Sequence, residues 1–345
     1  MADTAALPYL EVDRFLETMA GAQALATALE LGVIDALAAA PHTPDTLAAR
    51  AGVEVAGLHL LLGLLAGNGV ITIAADGVAQ LSERFTAALA YRELLEAKID
   101  LLRIAVPDFL LGLTDLVKDE RRFMAQSRMF QVFDYARAAA PGPENTERTR
   151  RWVRFTTALT RHEAQACLDR HDFSRYAQWL DVGGNSGEFA AQVCARHPRL
   201  RATVLDLPVV CEVGAAHLRG RQEASRIHFV AGDARTDPWP EGMDIVSFKS
   251  MLHDWPDAEA TLLLTRARAA LRPGGTLLIF ERRRMPLADG PLSYASIPML
   301  LFARSFREDA WYRSRLDELG FTNMRTQHVA LDATFMIIEA SAPRR

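Results

Sequence analysis

The sequence predicts an α/β protein, with a doubly wound parallel sheet following a mainly helical, winged-helix-like N-terminal part. Three observations predict it: helical spacing of apolar residues to about residue 90, two alternating runs around Asp76-Gly77, and short β-rich runs separated by amphipathic helices from Trp179 onward. Of 345 residues, 50% are hydrophobic and 24% charged, with a net charge of −4. That balance excludes disorder, collagen and a membrane span, and the length suggests two domains that each bury a core. The expected boundaries are 1–100 for the helical domain, 101–170 for a helical bridge and 171–345 for the sheet domain.

In order along the chain, apolar residues recur at three and four in Ala24-Leu-Ala-Thr-Ala-Leu-Glu-Leu-Gly, and Thr43-Pro-Asp-Thr-Leu offers a capping threonine before a proline that opens a helix. Val70-Ile-Thr-Ile-Ala-Ala-Asp-Gly-Val-Ala-Gln-Leu then reads as a hairpin. Residues 91–170 read as helices, broken at Pro141-Gly-Pro. The strands that follow are Trp179-Leu-Asp-Val, Ala202-Thr-Val-Leu-Asp, Ile227-His-Phe-Val-Ala, Asp244-Ile-Val-Ser-Phe and Thr276-Leu-Leu-Ile-Phe-Glu, with Phe335-Met-Ile-Ile-Glu-Ala as the last.

Cys167, Cys194 and Cys211 lack metal-ligand spacing and sit among apolar residues, which suits packing in a reducing, cytoplasmic protein. Asp3, Glu11 and Asp13 do not suit a secretory start, and the most apolar stretch, Leu58 to Ala75, contains His59 and Asn68. A winged helix invites a DNA-binding, ligand-sensing regulator. However, 21–90 holds only Arg50 and Arg84 as cations, and the would-be recognition helix, Val55 to Leu65, has none to neutralise phosphate. Dimerisation is the better use of that apolar surface, and no nucleic-acid or membrane partner is expected.

Chemistry is expected at the carboxyl ends of the strands. The first ends in Asp181-Val-Gly-Gly-Asn-Ser-Gly, where Gly183, Gly184 and Gly187 let backbone approach a ligand. The second ends in Asp206-Leu207, a carboxylate placed for ribose hydroxyls, and the third in Gly232-Asp233, suited to an adenine edge. The glycine spacing departs from Gly-x-Gly-x-x-Gly, and Asp181 adds negative charge, so a cationic nucleoside without phosphates fits better than a dinucleotide.

These segments, with Lys249-Ser-Met-Leu-His-Asp-Trp-Pro-Asp and Leu271-Arg-Pro-Gly-Gly-Thr, resemble the class I methyltransferases of the plant and bacterial small-molecule O-methyltransferase family over nearly the whole chain. The resemblance implies a Rossmann-like methyltransferase domain, a homodimer, and S-adenosylmethionine as cofactor, with Lys249 as a further cofactor contact. It implies that His253 is a general base oriented by Glu281, and it puts Ser305 where a second orienting glutamate is expected. Losing that partner weakens a phenol-deprotonating reading.

The family's Phe-Asn-x-Ala-Met segment appears as Phe133-Asp-Tyr-Ala-Arg137. An arginine there suits a substrate carboxylate, unless it pairs internally with Asp134 or Glu144. Two relatives use carboxylate acceptors. The 2-oxo acid C-methyltransferases employ a His-Asp-His iron site; His253 and Asp254 match two ligands, and Ser305 is a poor third, so no metal is expected. The S-methyltransferase of dimethylsulfoniopropionate synthesis, which this chain resembles at Trp152 to Ala164, methylates 4-methylthio-2-hydroxybutyrate. A thioether needs no base, only in-line placement in a dry pocket, with Phe133, Tyr135 and Trp255 as π faces for the developing sulfonium. S-methylation of this carboxylate is the expectation carried forward, with hydroxyl O-methylation and 2-oxo acid C-methylation as alternatives.

Overall fold

The computed structural model describes residues 7–285, 297–302 and 305–344. Chain contacts gather them into two units, Met1–Gln126 with Asp289–Leu301, and Ser127–Ala288 with Phe302–Arg345. The expected bridge, 101–170, is thus divided between the units.

In the first unit, Thr18 caps the helix Met19–Glu30 by accepting from the Gly21 N–H at 3.0 Å, and Thr43 caps Pro44–Ala51 with proline at its first position. Leu25, Ile34, Leu58, Leu62, Leu65 and Phe85 are buried in its core. The hairpin forms as β1 (Ile71–Ile73) and β2 (Ala79–Leu81), antiparallel, and Gly77 turns it in the left-handed region at φ 83°. The helix Val55–Gly67 precedes the hairpin, as in a winged helix. No single helix among the described residues is long and apolar enough to cross a membrane.

The second unit is built on a sheet of seven strands among the described residues. They are β3 (Gln178–Val182), β4 (Arg201–Asp206), β5 (Ile227–Ala231), β6 (Met243–Lys249), β7 (Leu271–Arg282), β8 (Thr322–Ala330) and β9 (Thr334–Ser341). Their order is β5-β4-β3-β6-β7-β9-β8. The first five are parallel, whereas β9 runs antiparallel to β7 and β8 antiparallel to β9. The sheet is therefore mixed, because a hairpin completes its edge.

Trp179, Phe189 and Phe280 fill one core of this unit, and Leu180, Phe248 and Ile279 another. Alternate residues of β3 (179 and 180) and of β7 (279 and 280) divide between the two cores, as a strand covered on both faces requires. Cys167, Cys194 and Cys211 are free and buried. The topology brings the carboxyl ends of β3, β4, β5, β6 and β7 to one end of the sheet.

Candidate active site

The loop after β3 is wound by left-handed residues, Gly183 at φ 66°, Asn185 at 56° and Gly187 at 72°. A Cβ on Gly183 would lie 2.4 Å from Met251 Cγ, and one on Gly184 2.6 Å from Asp181 Oδ2. Packing against the protein itself therefore already requires glycine at both positions. Gly187 precedes the helix Glu188–Arg196.

Asp181 is fully buried; Ser247 Oγ donates to its Oδ1 at 2.5 Å, while Oδ2 has no hydrogen-bond partner in the protein. Burial pushes its carboxyl up to about 7, against the opposing pull of Ser247 and Lys249. Asp206 accepts the N–H groups of Asn185 at 2.7 Å and Leu207 at 2.8 Å, which fixes the loop to the end of β4. Burial, with Asp254 nearby, holds Asp206 up to about 6 despite those bonds. Acids close enough to raise one another, with Asp181 fully buried among them, fit a cationic ligand, and the orphaned Asp181 oxygen is the clearest sign of it.

Asp233 is engaged by Arg235, whose Nε and Nη2 donate at 3.0 and 2.7 Å and hold its carboxyl below the usual range. The Arg235 guanidinium stacks 4.1 Å from the Trp255 ring centroid. Gly232 packs against Asp237, whose Oδ2 would lie 2.9 Å from an added Cβ. Arg235 was missed in the sequence, although a base two residues after a strand-end acid was its visible signal.

Lys249 Nζ lies 2.5 Å from Glu163 Oε2, with only 7% of its side chain exposed. Glu163 also accepts from Arg282, which lies 3.3 Å from Asp332. Burial would raise Glu163, but Arg282 and Lys249 prevail and bring it down to about 2. Lys249 is thus tied into a buried ion network that the sequence did not reveal.

At the end of β7, Glu281 is fully buried, and its Oε1 lies 2.9 Å from His253 Nδ1 while its Oε2 accepts the Met251 N–H at 3.1 Å. His253 Nε2 lies 3.3 Å from Asp254 Oδ1, and Asp254 Oδ2 accepts the Tyr135 hydroxyl at 2.8 Å. Burial alone would depress the imidazole; the two carboxylates more than offset it and raise its pKa. The orienting pair expected for His253 is present. A second carboxylate, Asp254, also stands at the ring, where the sequence pointed to Ser305 and a missing partner. Phe306, next to Ser305, packs edge-on to His253 at 5.0 Å.

Aromatic rings gather around this pair. Tyr135 packs against Trp152 and Trp255 with centroids 6.0 and 5.6 Å away, and Phe133 against Trp152 at 5.9 Å and Phe302 at 5.7 Å. Arg137 takes the internal alternative: its Nε lies 2.8 Å from Asp134 Oδ2, and its side chain is 42% exposed. Among the described residues, no group of three or more His, Cys, Asp or Glu is arranged to hold a metal.

The family model for the O-methyltransferase domain matches residues 112–322, and that for the O-methyltransferase dimerisation domain matches residues 14–95. The chain is 27% identical to the N,N-dimethyltransferase OxyT of Streptomyces rimosus over 331 residues, covering 89% of each chain. It is 30% identical to demethylspheroidene O-methyltransferase of Cereibacter sphaeroides over 274 residues, covering 79% of this chain and 70% of that one. The solved structure of human N-acetylserotonin methyltransferase in complex with SAM superposes with a TM-score of 0.75, covering 99% of this chain and 100% of that one at 21% identity, which supports the fold.

Proposed function

Because the chain belongs to the O-methyltransferase family, we propose that it methylates the hydroxyl of a small secondary metabolite, with His253 as base and Glu281 as its orienting partner. It is an S-adenosylmethionine-dependent methyltransferase. That cofactor supplies the activated methyl group when bound. Asp181, Asp206 and the loop 183–187 are the residues that would hold it, and their buried negative charge suits its sulfonium and ammonium. Leu207, Gly232 and Asp233 would flank its nucleoside end. Lys249 would act there only indirectly, since its ammonium is committed to Glu163.

The observation that carries the reading is the 2.9 Å contact between His253 Nδ1 and Glu281. Accepting from Nδ1–H, Glu281 fixes the tautomer in which Nε2, 3.3 Å from Asp254 Oδ1, carries the lone pair that takes the acceptor's proton. The imidazolium so formed gains from both Glu281 and Asp254. Phe133, Tyr135 and Trp255 offer flat apolar surfaces that suit an aromatic acceptor and exclude water.

S-methylation of 4-methylthio-2-hydroxybutyrate is the second reading. The same aromatic surfaces favour it, but its carboxylate anchor, Arg137, is engaged by Asp134. A base-oriented histidine also has no task in it, and the same carboxylate requirement applies to a 2-oxo acid. We further propose that the protein works as a homodimer in the cytoplasm. The deciding assay incubates the protein with S-adenosylmethionine and, separately, a naphthol, a catechol, the thioether acid and a 2-oxo acid, following methylated products by mass spectrometry. A methoxy product that falls at least a hundredfold in rate with His253→Ala supports the hydroxyl reading. A sulfonium product alone overturns it.

A further inference from the structure

We propose that a cleft at the amino ends of the parallel strands, opposite the candidate active site, binds a dianionic phosphate, free or as the monoester of a small polar molecule. The cleft has a volume of about 550 Å³, within the range of small-molecule sites. It is lined by residues around the starts of β3, β6, β7 and β8 and the end of β9. From Thr276 in this cleft to Glu281 in the candidate active site is five residues of β7, roughly 17 Å at the usual rise of a strand.

Four arginines, Arg175, Arg272, Arg325 and Arg344, line it together with two acids, Asp244 and Glu339. Both acids are already engaged by the protein. Asp244 Oδ2 accepts the N–H groups of Ala177 at 2.7 Å and Gln178 at 2.9 Å, and its Oδ1 accepts from Arg272 Nε at 2.5 Å. Glu339 Oε1 lies 2.9 Å from His171 Nδ1, and Oε2 lies 3.8 Å from Arg175. Arg325 is in register with Glu339 across β8 and β9, yet neither it nor Arg344 forms an ion pair among the described residues. Two positive charges are left in excess, the complement of a phosphate dianion.

An independent observation points the same way. Tyr176 lines the cleft and is 6% exposed, and its hydroxyl stands beside Thr276 and Arg175 of the same cleft. A phosphate offers it an acceptor, with further oxygens for planar guanidinium forks.

The test is calorimetric titration of the full-length protein with inorganic phosphate and, separately, glycerol 3-phosphate. Ionic strength is matched with chloride, and S-adenosylhomocysteine is kept saturating so that the cofactor region cannot respond. Saturable binding is expected, weakened at least tenfold by Arg325→Ala with Arg344→Ala while methyl transfer is unchanged. Tyr176→Phe, which keeps the ring, is expected to weaken it severalfold. Tighter binding of the ester would identify a phosphorylated metabolite, and equal binding free phosphate; either supports the site. Absence of saturable binding by both probes, or equal affinity in the double-arginine variant, overturns it.

Discussion

Both nitrogens of His253 face carboxylates, Glu281 at 2.9 Å and Asp254 at 3.3 Å, and this governs how a base at that position responds to pH. Its pKa lies above the ordinary 6.5, so kcat/KM is expected to rise with pH through a limb above 6.5, as the imidazole loses its resting proton. Replacing Glu281 with Gln removes a charge that raises it. The limb should move to lower pH and the plateau fall by 10- to 100-fold; an unmoved limb would show that His253 is not the titrating base. Asp181 has the opposite logic. Its folded value of about 7 lies above the ordinary 3.8, so between those values the folded state holds a proton that the unfolded state has lost. Stability from this group therefore falls as pH rises through that window, by up to roughly 4 kcal/mol. Asp181→Asn should raise the Tm of the protein without added donor at pH 8, and reduce the further rise that S-adenosylhomocysteine produces. Much of the site was legible because its acids end strands, where topology must gather them. The partner of Arg137 was legible only as an alternative, since the turn from Asp134 to Arg137 decides it. Asp254 was legible beside His253 only through the resemblance to a His-Asp-His site, and its contact with the imidazole was not, because neighbours in a 3₁₀ turn share no simple periodicity.

The parallel strands were visible as apolar runs, those inside the sheet buried on both faces and only the edge strand β5 partly exposed, and Phe335 onward was visible as a last strand for the same reason. β8 was not: Thr322–Ala330 is polar and mostly exposed, an edge strand whose pairing with β9 comes from a short connection and not from its own hydrophobicity. The tie between the helix Pro143–Leu168 and the sheet was equally hidden, since Glu163 in sequence looks like any charge on a helix. In the structure it is 2% exposed and joins Lys249 of β6 to Arg282 of β7, each at the end of a strand that leads to the His253–Glu281 pair. Removing one member of such a network strands the other charges. Glu163→Gln is therefore expected to cost about 3–5 kcal/mol in denaturant unfolding at pH 7. The folded value of about 2 lies below the ordinary 4.5, so this stabilisation is complete above 4.5 and is lost as pH falls toward 2. A loss under 1 kcal/mol at pH 7 would mean that the network is solvated and contributes little.

For the molecule as a whole, the helix Val55–Gly67 poses a problem that a single copy of the first unit does not solve. Its sequence, VAGLHLLLGLLAG, is apolar almost all round, the pattern of a helix buried on every side. Within the unit Leu58, Leu61, Leu62 and Leu65 are buried, but Leu60 is 69% exposed, Leu64 42% and Val55 40%. The helix Arg92–Lys118 of the same unit adds Leu110, Leu111 and Val117 to its exposed apolar residues. Nucleic acid is a poor match for such a surface, which lacks the cations to neutralise phosphate. A second copy supplies the same leucines, and the dimerisation-domain match at 14–95 includes this helix. Light scattering should therefore give about twice the chain mass of 38.1 kDa. Leu60→Glu with Leu64→Glu places charge where the copies would meet, so it should yield monomers at micromolar concentration and abolish the concentration dependence of Tm that a dimer imposes. A double variant that remains dimeric would move the interface off this helix, toward the leucines of Arg92–Lys118.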